Sequence, residues 1–290
     1  MMHKVALVVA LVPGLVLAGT TGAAAQALDG RLKQIAATKS IAIAHRTDAA
    51  PFSFLDANRE PAGFTIDLCR RVVASIEKQL GVSGLKVKYV PVTTQTRFEA
   101  IAKGQADLEC GASTITLARM KTVDFSSVVF MNTTGLLARS ATGAKSLPDL
   151  AGKRIAAVRG TSNERALANQ LARQQVKATV VPMGSSDEAI AALDAGSVDA
   201  FASDTMLLVG LTPRSKDPKA LALLGDLLSY EPYGIALPRG DASLRLAVNT
   251  ALSQTFSSDA IDEIFSRWFG AFGKPTALTE AVYILGTFPE

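Results

Sequence analysis

The chain is 290 residues long, with 30 basic and 26 acidic residues, a formal charge of +4 and 48% hydrophobic residues. That length accommodates two modest domains. The charge excess is too mild for a nucleic-acid-binding surface, and no Lys/Arg run is dense enough to form a polybasic membrane patch.

Met1 to Lys4 is a short basic start, Val5 to Ala18 is an apolar run with one proline, and Thr20 to Ala27 ends in AAAQA. Ala25 and Ala27 flank Gln26 as the small-residue cleavage rule requires, so residues 1–27 are predicted to be a secretory signal peptide. A membrane anchor fits less well, because the apolar run falls short of the ~20 residues that span a bilayer. No cysteine precedes Cys69, so nothing near the cleavage site would carry a lipid, and a soluble exported protein is expected. Cleavage removes Lys4 and no acid, leaving 29 basic against 26 acidic residues, a charge of +3.

Strand-like and helical runs then alternate. SIAIAH reads as a strand; Gly63 to Leu80 places Phe64, Leu68, Val72, Val73, Ile76 and Leu80 at helical spacing; LKVKYVPV alternates like a strand; Thr96 to Lys103 is helical, and ADLECG closes the series. A second series follows: KRIAAV, a helix over about 163–175, TVVPM, a helix over 186–195, DAFAS, and a helix from Asp204. Alternation of this kind predicts an α/β fold of two lobes, each a mostly parallel sheet flanked by helices. Between the series lies VVFMNTTGLLARS, and after the second comes LLSYEPYGIALPR; these two extended stretches predict two crossings between lobes. The first lobe is expected over 28–130 and 235–290, the second over 135–229, with hinges near 131–134 and 230–234. Helices over 242–256 and 259–269 would complete the first lobe. The tail from Gly270 is uninformative, although Tyr283 to Phe288 is apolar enough to pack back on that lobe, and Trp268 reads as a packing residue.

Only one internal disulfide is possible, Cys69 to Cys110, in a compartment where thiols oxidise; the alternative is two buried free thiols. The mature chain keeps a single histidine, His45, and no CxxC, so no metal site and no cofactor are expected, and His45 reads as structural.

Four polar motifs lie just after predicted strands: Arg46 in HRTDAAPFSF, Arg97 in TTQTRFEAI, Arg119 in CGASTITLARMKTVDFS and Asp204 in DAFASDTML. Ligands of α/β folds bind at the carboxyl ends of strands, in the crevice between layers or domains. The backbone of an α-amino acid needs one fixed cation and one fixed anion, which Arg119 and Asp204 could supply. Two further guanidinium groups would leave positive charge for a second carboxylate, pointing to an acidic amino acid.

GFTIDLCRRVV, ADLECGASTITLARMKTVDFSSVVF, AGKRIAAVRGTSNE, AGSVDAFASDT and PYGIALPRG, in that order, resemble the polar-amino-acid binding proteins of ABC importers (family 3) from about Ser40 to Phe269. The HR pair, the TTQTR run and ECG with a partner cysteine are similar to the glutamate/aspartate-binding branch. The resemblance implies a two-lobed periplasmic-binding-protein fold (type II), a periplasmic, monomeric, non-enzymatic protein, and an ABC transporter permease as partner. It also implies that Arg119 grips the ligand α-carboxylate, with Thr114 on one side and Thr161 and Ser162, at a helix start, on the other. Asp204 and the Ala112 carbonyl would take the ammonium, and Arg46, Thr94 and Arg97 would surround the side chain. GTSNE can equally be a plain helix cap. The sequence departs from the branch at Ala112, where a serine is expected, and at Ser186, where a histidine is expected.

Two other functions share this pattern. A cyclohexadienyl dehydratase on the same fold would need a proton-donating acid in the cleft, for which Glu109 and Asp204 are the candidates. A ligand-sensing module would have to act through a separate receptor.

Overall fold

The computed structural model describes residues 28–289, so the expected signal peptide over 1–27 lies outside the described residues. Two open sheets organise them. In the first, strands lie in the order Lys86–Pro91, Ser40–His45, Leu108–Glu109, Ala236–Pro238, Val123–Phe125. The first three run parallel, and Ala236–Pro238 pairs antiparallel to both of its neighbours. In the second sheet the order is Thr179–Met183, Arg154–Val158, Ala200–Asp204, Phe130–Arg139, Leu221–Leu223, with Ser229–Tyr233 also paired to Phe130–Arg139. The strands within each βαβ succession are parallel, and the strands that carry the chain between sheets add the antiparallel pairs.

Both crossings are extended, as their apolar composition predicts. VVFMNTTGLLARS supplies the ten-residue strand Phe130–Arg139. LLSYEPYGIALPR divides into Ser229–Tyr233, in the second sheet, and Ala236–Pro238, in the first. The two crossings pair with each other from Ser229↔Thr134 to Tyr233↔Phe130. An aromatic cluster anchors them at the first lobe: Phe52 packs edge-on against Phe130 and Tyr233, each at 5.0 Å, and Phe130 stacks on Phe269 at 5.0 Å. Such pairs add directional preference to the burial of large apolar surfaces.

The helix Phe64–Gln79 buries Leu68, Cys69, Val72, Val73 and Ile76, one apolar face at helical spacing. Its start is docked by Phe64 N–H to the Pro51 carbonyl (2.9 Å) and Thr65 N–H to the Phe52 carbonyl (3.0 Å). Gly63 precedes it at φ 129°, where a Cβ would collide with the Phe52 carbonyl, so only glycine lets the segments approach. Cys69 on this helix and Cys110 beyond Leu108–Glu109 form a disulfide with Cα atoms 6.4 Å apart.

Helix ends differ from the sequence expectation by a residue or two: Arg97–Ala102, Ser162–Arg173, Ser186–Asp194, Thr205–Leu211 and Ala260–Phe269. The tail forms a helix, Ala277–Leu285, whose Tyr283 packs on Phe256 at 5.1 Å; beyond it Phe288 N–H donates to Ser253 Oγ at 2.8 Å. Trp268 donates its Nε1–H to Asp67 at 2.9 Å and sits edge-on to Phe54, a packing role. Four features have no counterpart in the sequence expectation: the helix Gly30–Thr38, the strands Val123–Phe125 and Leu221–Leu223, and the small sheet Asp48–Ala49, Ser53–Leu55, Pro61–Ala62 that follows Arg46.

Candidate ligand-binding cleft

Strand ends from both lobes converge on one small cavity of about 20 Å³. Its lining includes Arg46, Thr94, Arg97, Ala112 and Thr114 from the first lobe, and Thr161, Ser162, Asn163, Ser186 and Asp204 from the second. Every expected ligand-binding residue except Arg119 is on that wall. Arg119 stands behind Thr114, with Nη1 donating to the Thr114 carbonyl at 2.6 Å.

On the first lobe, Arg46 leaves strand Ser40–His45 with its backbone N–H on Ser53 Oγ (3.0 Å). Its guanidinium is held by Asp48, through Nε at 2.8 Å and Nη2 at 2.5 Å, both to Oδ1. Arg97 opens the helix Arg97–Ala102. Arg97 and Arg119 both place Cζ over the ring of Phe98, 4.8 and 5.0 Å from its centroid, a cation–π platform for two guanidinium groups. The loop carrying Thr114 is tied to the second crossing by Gly234 N–H to the Ser113 carbonyl (3.1 Å) and Ile115 N–H to the Pro232 carbonyl (2.7 Å). His45 is buried, with Nδ1 3.1 Å from the Arg46 carbonyl and its ring edge-on to Tyr89.

On the second lobe, Thr161 caps the helix Ser162–Arg173 by accepting from Glu164 N–H at 3.0 Å. The cap and the cavity position coexist, because the helix start itself faces the cleft. Asp204 ends strand Ala200–Asp204, opposite Thr134. Behind it Thr134 Oγ1 receives Asn163 Nδ2–H (2.8 Å) and donates to Glu231 Oε1 (3.0 Å).

The lobes touch across the cleft. Ser162 Oγ donates to Thr114 Oγ1 at 3.1 Å, Ser186 N–H to Asp48 Oδ2 at 3.4 Å, and Gln95 Nε2 to the Arg159 and Gly184 carbonyls at 3.3 Å each.

Several buried charged atoms in this region have no hydrogen-bond partner in the protein: Arg119 Nη2, Arg97 Nε, Asp204 Oδ1 and both Glu109 oxygens. Buried polar atoms are almost always paired, so a cluster of exceptions of both signs beside this cavity makes it the candidate site. Burial, reinforced by the nearby Glu231 carboxylate, pushes the Asp204 carboxyl up to about 7. Burial, then the Arg119 charge, disfavours the cationic form of Arg97, while Glu109 opposes that shift. Burial likewise raises Glu109, against the pull of Arg97, Arg46 and Arg119. Glu109 is fully buried and does not line the cavity, so Asp204 is the one acid on its wall among the described residues.

Residues 41–271 match the bacterial extracellular solute-binding proteins, family 3. The chain belongs to that family. Over 246 residues it is 34% identical to the L-glutamate/L-aspartate-binding protein of Pseudomonas aeruginosa, a match spanning 84% of this chain and 82% of that protein. It is 29% identical over 245 residues to the glutamate/aspartate import solute-binding protein of Salmonella typhimurium, covering 84% and 81%. Among solved structures, the ancestral amino acid-binding protein AncCDT-1, a precursor of cyclohexadienyl dehydratase, superposes with a TM-score of 0.70 at 28% identity, over 83% of this chain and 100% of that one. Among the described residues, no helix of this family 3 chain is long and apolar enough to cross a membrane.

Sequence reasoning missed Asp48, Phe98, Asn163 and Glu231. Asp48 had a visible signal, an acid two residues beyond Arg46 in HRTD, as did the aromatic immediately after Arg97. Asn163 and Glu231 had none, because their roles depend on which strands pair. Both departures from the glutamate/aspartate branch, Ala112 and Ser186, lie on the cavity wall.

Proposed function

We propose that this family 3 protein captures an α-amino acid, with an acidic side chain the best-supported class, in the periplasm and delivers it to an ABC importer. The observation that carries this reading is a pair of buried atoms of opposite sign without a hydrogen-bond partner, Arg119 Nη2 in the first lobe and Asp204 Oδ1 in the second. A zwitterion supplies a carboxylate to the first and an ammonium to the second. Thr114, with Thr161 and Ser162 at a helix N-terminus, completes the carboxylate site, where backbone N–H groups and the helix dipole favour an anion. The Ala112 carbonyl is a second acceptor for the ammonium. Arg97 and Arg46, with Thr94, face the side chain, and the names of the two relatives support a second carboxylate there.

Lobes over 28–130 with 235–290 and over 135–229 would turn about hinges near 131–134 and 230–234. Ligand contacts divided between lobes favour the closed form by their differential affinity, and the closed form is what a permease would read. The monomer is the working unit, and the segment over 1–27 is the export signal.

Isothermal titration of the mature protein, unfolded and refolded to strip carried-over ligand, against L-glutamate, L-aspartate, L-glutamine and L-asparagine tests the reading. Binding of at least one member of the acidic pair is expected; binding of none of the four would refute it.

A further inference from the structure

Arg46 is not a free cation. Asp48 grips its guanidinium through Oδ1, and Asp48 Oδ2 accepts from the Ser186 backbone N–H at the start of the helix Ser186–Asp194 in the other lobe. A guanidinium facing a helix N-terminus across a closed cleft is an arrangement suited to a carboxylate, and here the chain's own Asp48 takes that place. Asp48 is buried and does not itself line the cavity, whereas Arg46 and Ser186 do. The wall therefore presents an already neutralised Arg46 to the ligand. The remaining cation at that end, Arg97, keeps its Nε without a hydrogen-bond partner. With Arg46 paired to Asp48, a second carboxylate on the ligand meets one guanidinium not held by a carboxylate, and gains less than two bare arginines would offer.

We propose that Asp48 is a specificity-determining residue that broadens the cleft from acidic amino acids to their side-chain amides. The proposal rests on amino-acid capture as argued above. Asp48 acts through Arg46, as a counter-charge, and through Ser186, as a link between the lobes. An uncharged amide keeps the Arg46 N–H donors and the polar Ser186 end as partners without needing net positive charge. Glutamate and glutamine share their α-groups and length, so the ratio of their affinities isolates the distal group.

The test is calorimetric titration of the refolded mature protein and of Asp48→Asn with L-glutamate and L-glutamine. Wild-type dissociation constants for the two ligands within about tenfold of each other, and a glutamate-over-glutamine preference about tenfold or more higher in Asp48→Asn, are the expected results. A purely structural loss would weaken both ligands alike. Asp48→Ser serves as a second variant should the first fold poorly, with circular dichroism as the folding check. A ratio within about twofold of wild type in the folded variants overturns the proposal, as does a wild-type preference for glutamate beyond about a hundredfold. Failure of the wild type to bind any amino acid overturns the underlying reading instead, and the role of Asp48 with it.

Discussion

Ser162 Oγ of the second lobe donates to Thr114 Oγ1 of the first at 3.1 Å, joining two residues that flank the place proposed for the ligand α-carboxylate. In the proposed mechanism, closure and ligand contact would share the same hydroxyls. Ser162→Ala removes one such hydrogen bond while keeping the helix start, so a loss of about 0.5–1.5 kcal/mol in ligand affinity is expected, roughly 2- to 12-fold. Titration with the tightest ligand measures it. An unchanged dissociation constant would separate this contact from binding.

Arg119→Ala is expected to be far more damaging. The guanidinium is buried, over Phe98 and on the Thr114 carbonyl, with Nη2 without a partner. Removing one partner of a buried charge pair costs about 3–5 kcal/mol, hence a loss of at least about a hundredfold in affinity. Arg119→Lys should recover little, since an ammonium lacks the planar two-pronged geometry. Retention of wild-type affinity in Arg119→Ala would remove Arg119 from the site.

Asp204 is expected to make binding depend on pH. Its carboxyl is held up at about 7 in the free protein, chiefly by burial, and a ligand ammonium favours the ionised form. Affinity should therefore rise as pH climbs towards about 7 and level off above it, with proton release on binding below that point. For folding the sign is opposite. A raised carboxyl stabilises the folded state while protonated, and this contribution is lost as pH rises from the ordinary carboxylate value towards about 7. Titrations at pH 6 in two buffers of different ionisation enthalpy count the protons, and Asp204→Asn should abolish the release.

The Cys69–Cys110 disulfide closes a span of 41 residues and ties the helix Phe64–Gln79 to the strand end that leads into Ala112 and Thr114. The loop-entropy model gives about 4 kcal/mol for a closure of that length. Thermal melts of a Cys69→Ala/Cys110→Ala variant should show a midpoint lower by on the order of 10 °C. A midpoint unchanged within 2 °C, by the same scale, would mean that packing around the two sites carries their stability unaided.

The sequence alone locates the strands and helices that carry the site, because SIAIAH, RIAAV and AFASD form largely buried strands and the face Leu68–Val72–Val73–Ile76 has an unmistakable helical period. It also places Arg46, Thr94, Arg97 and Asp204 at strand ends or the turns beyond them, where a cleft must lie. It does not show that Arg46 is neutralised, because the Arg46–Asp48 pair depends on a short three-stranded sheet with too few residues to leave a periodic signal. Nor does it show that Phe98 lies beneath two guanidinium groups, or that Glu231 from the second crossing comes close to Asp204, since both follow from pairings between segments far apart in the chain. The tail was illegible for another reason. Ala277–Leu285 is short, and its helicity depends on packing against the lobe that precedes it.

Arg119 and Asp204 are proposed to grip together the two α-groups of one amino acid. Titration with L-glutamate, with glutarate, which lacks the ammonium, and with 4-aminobutyrate, which lacks the α-carboxylate, tests it most directly. L-glutamate is expected to bind, and each analogue to lose at least about a hundredfold in affinity, because each leaves one buried charge unpaired. Glutarate or 4-aminobutyrate binding as tightly as L-glutamate would contradict it.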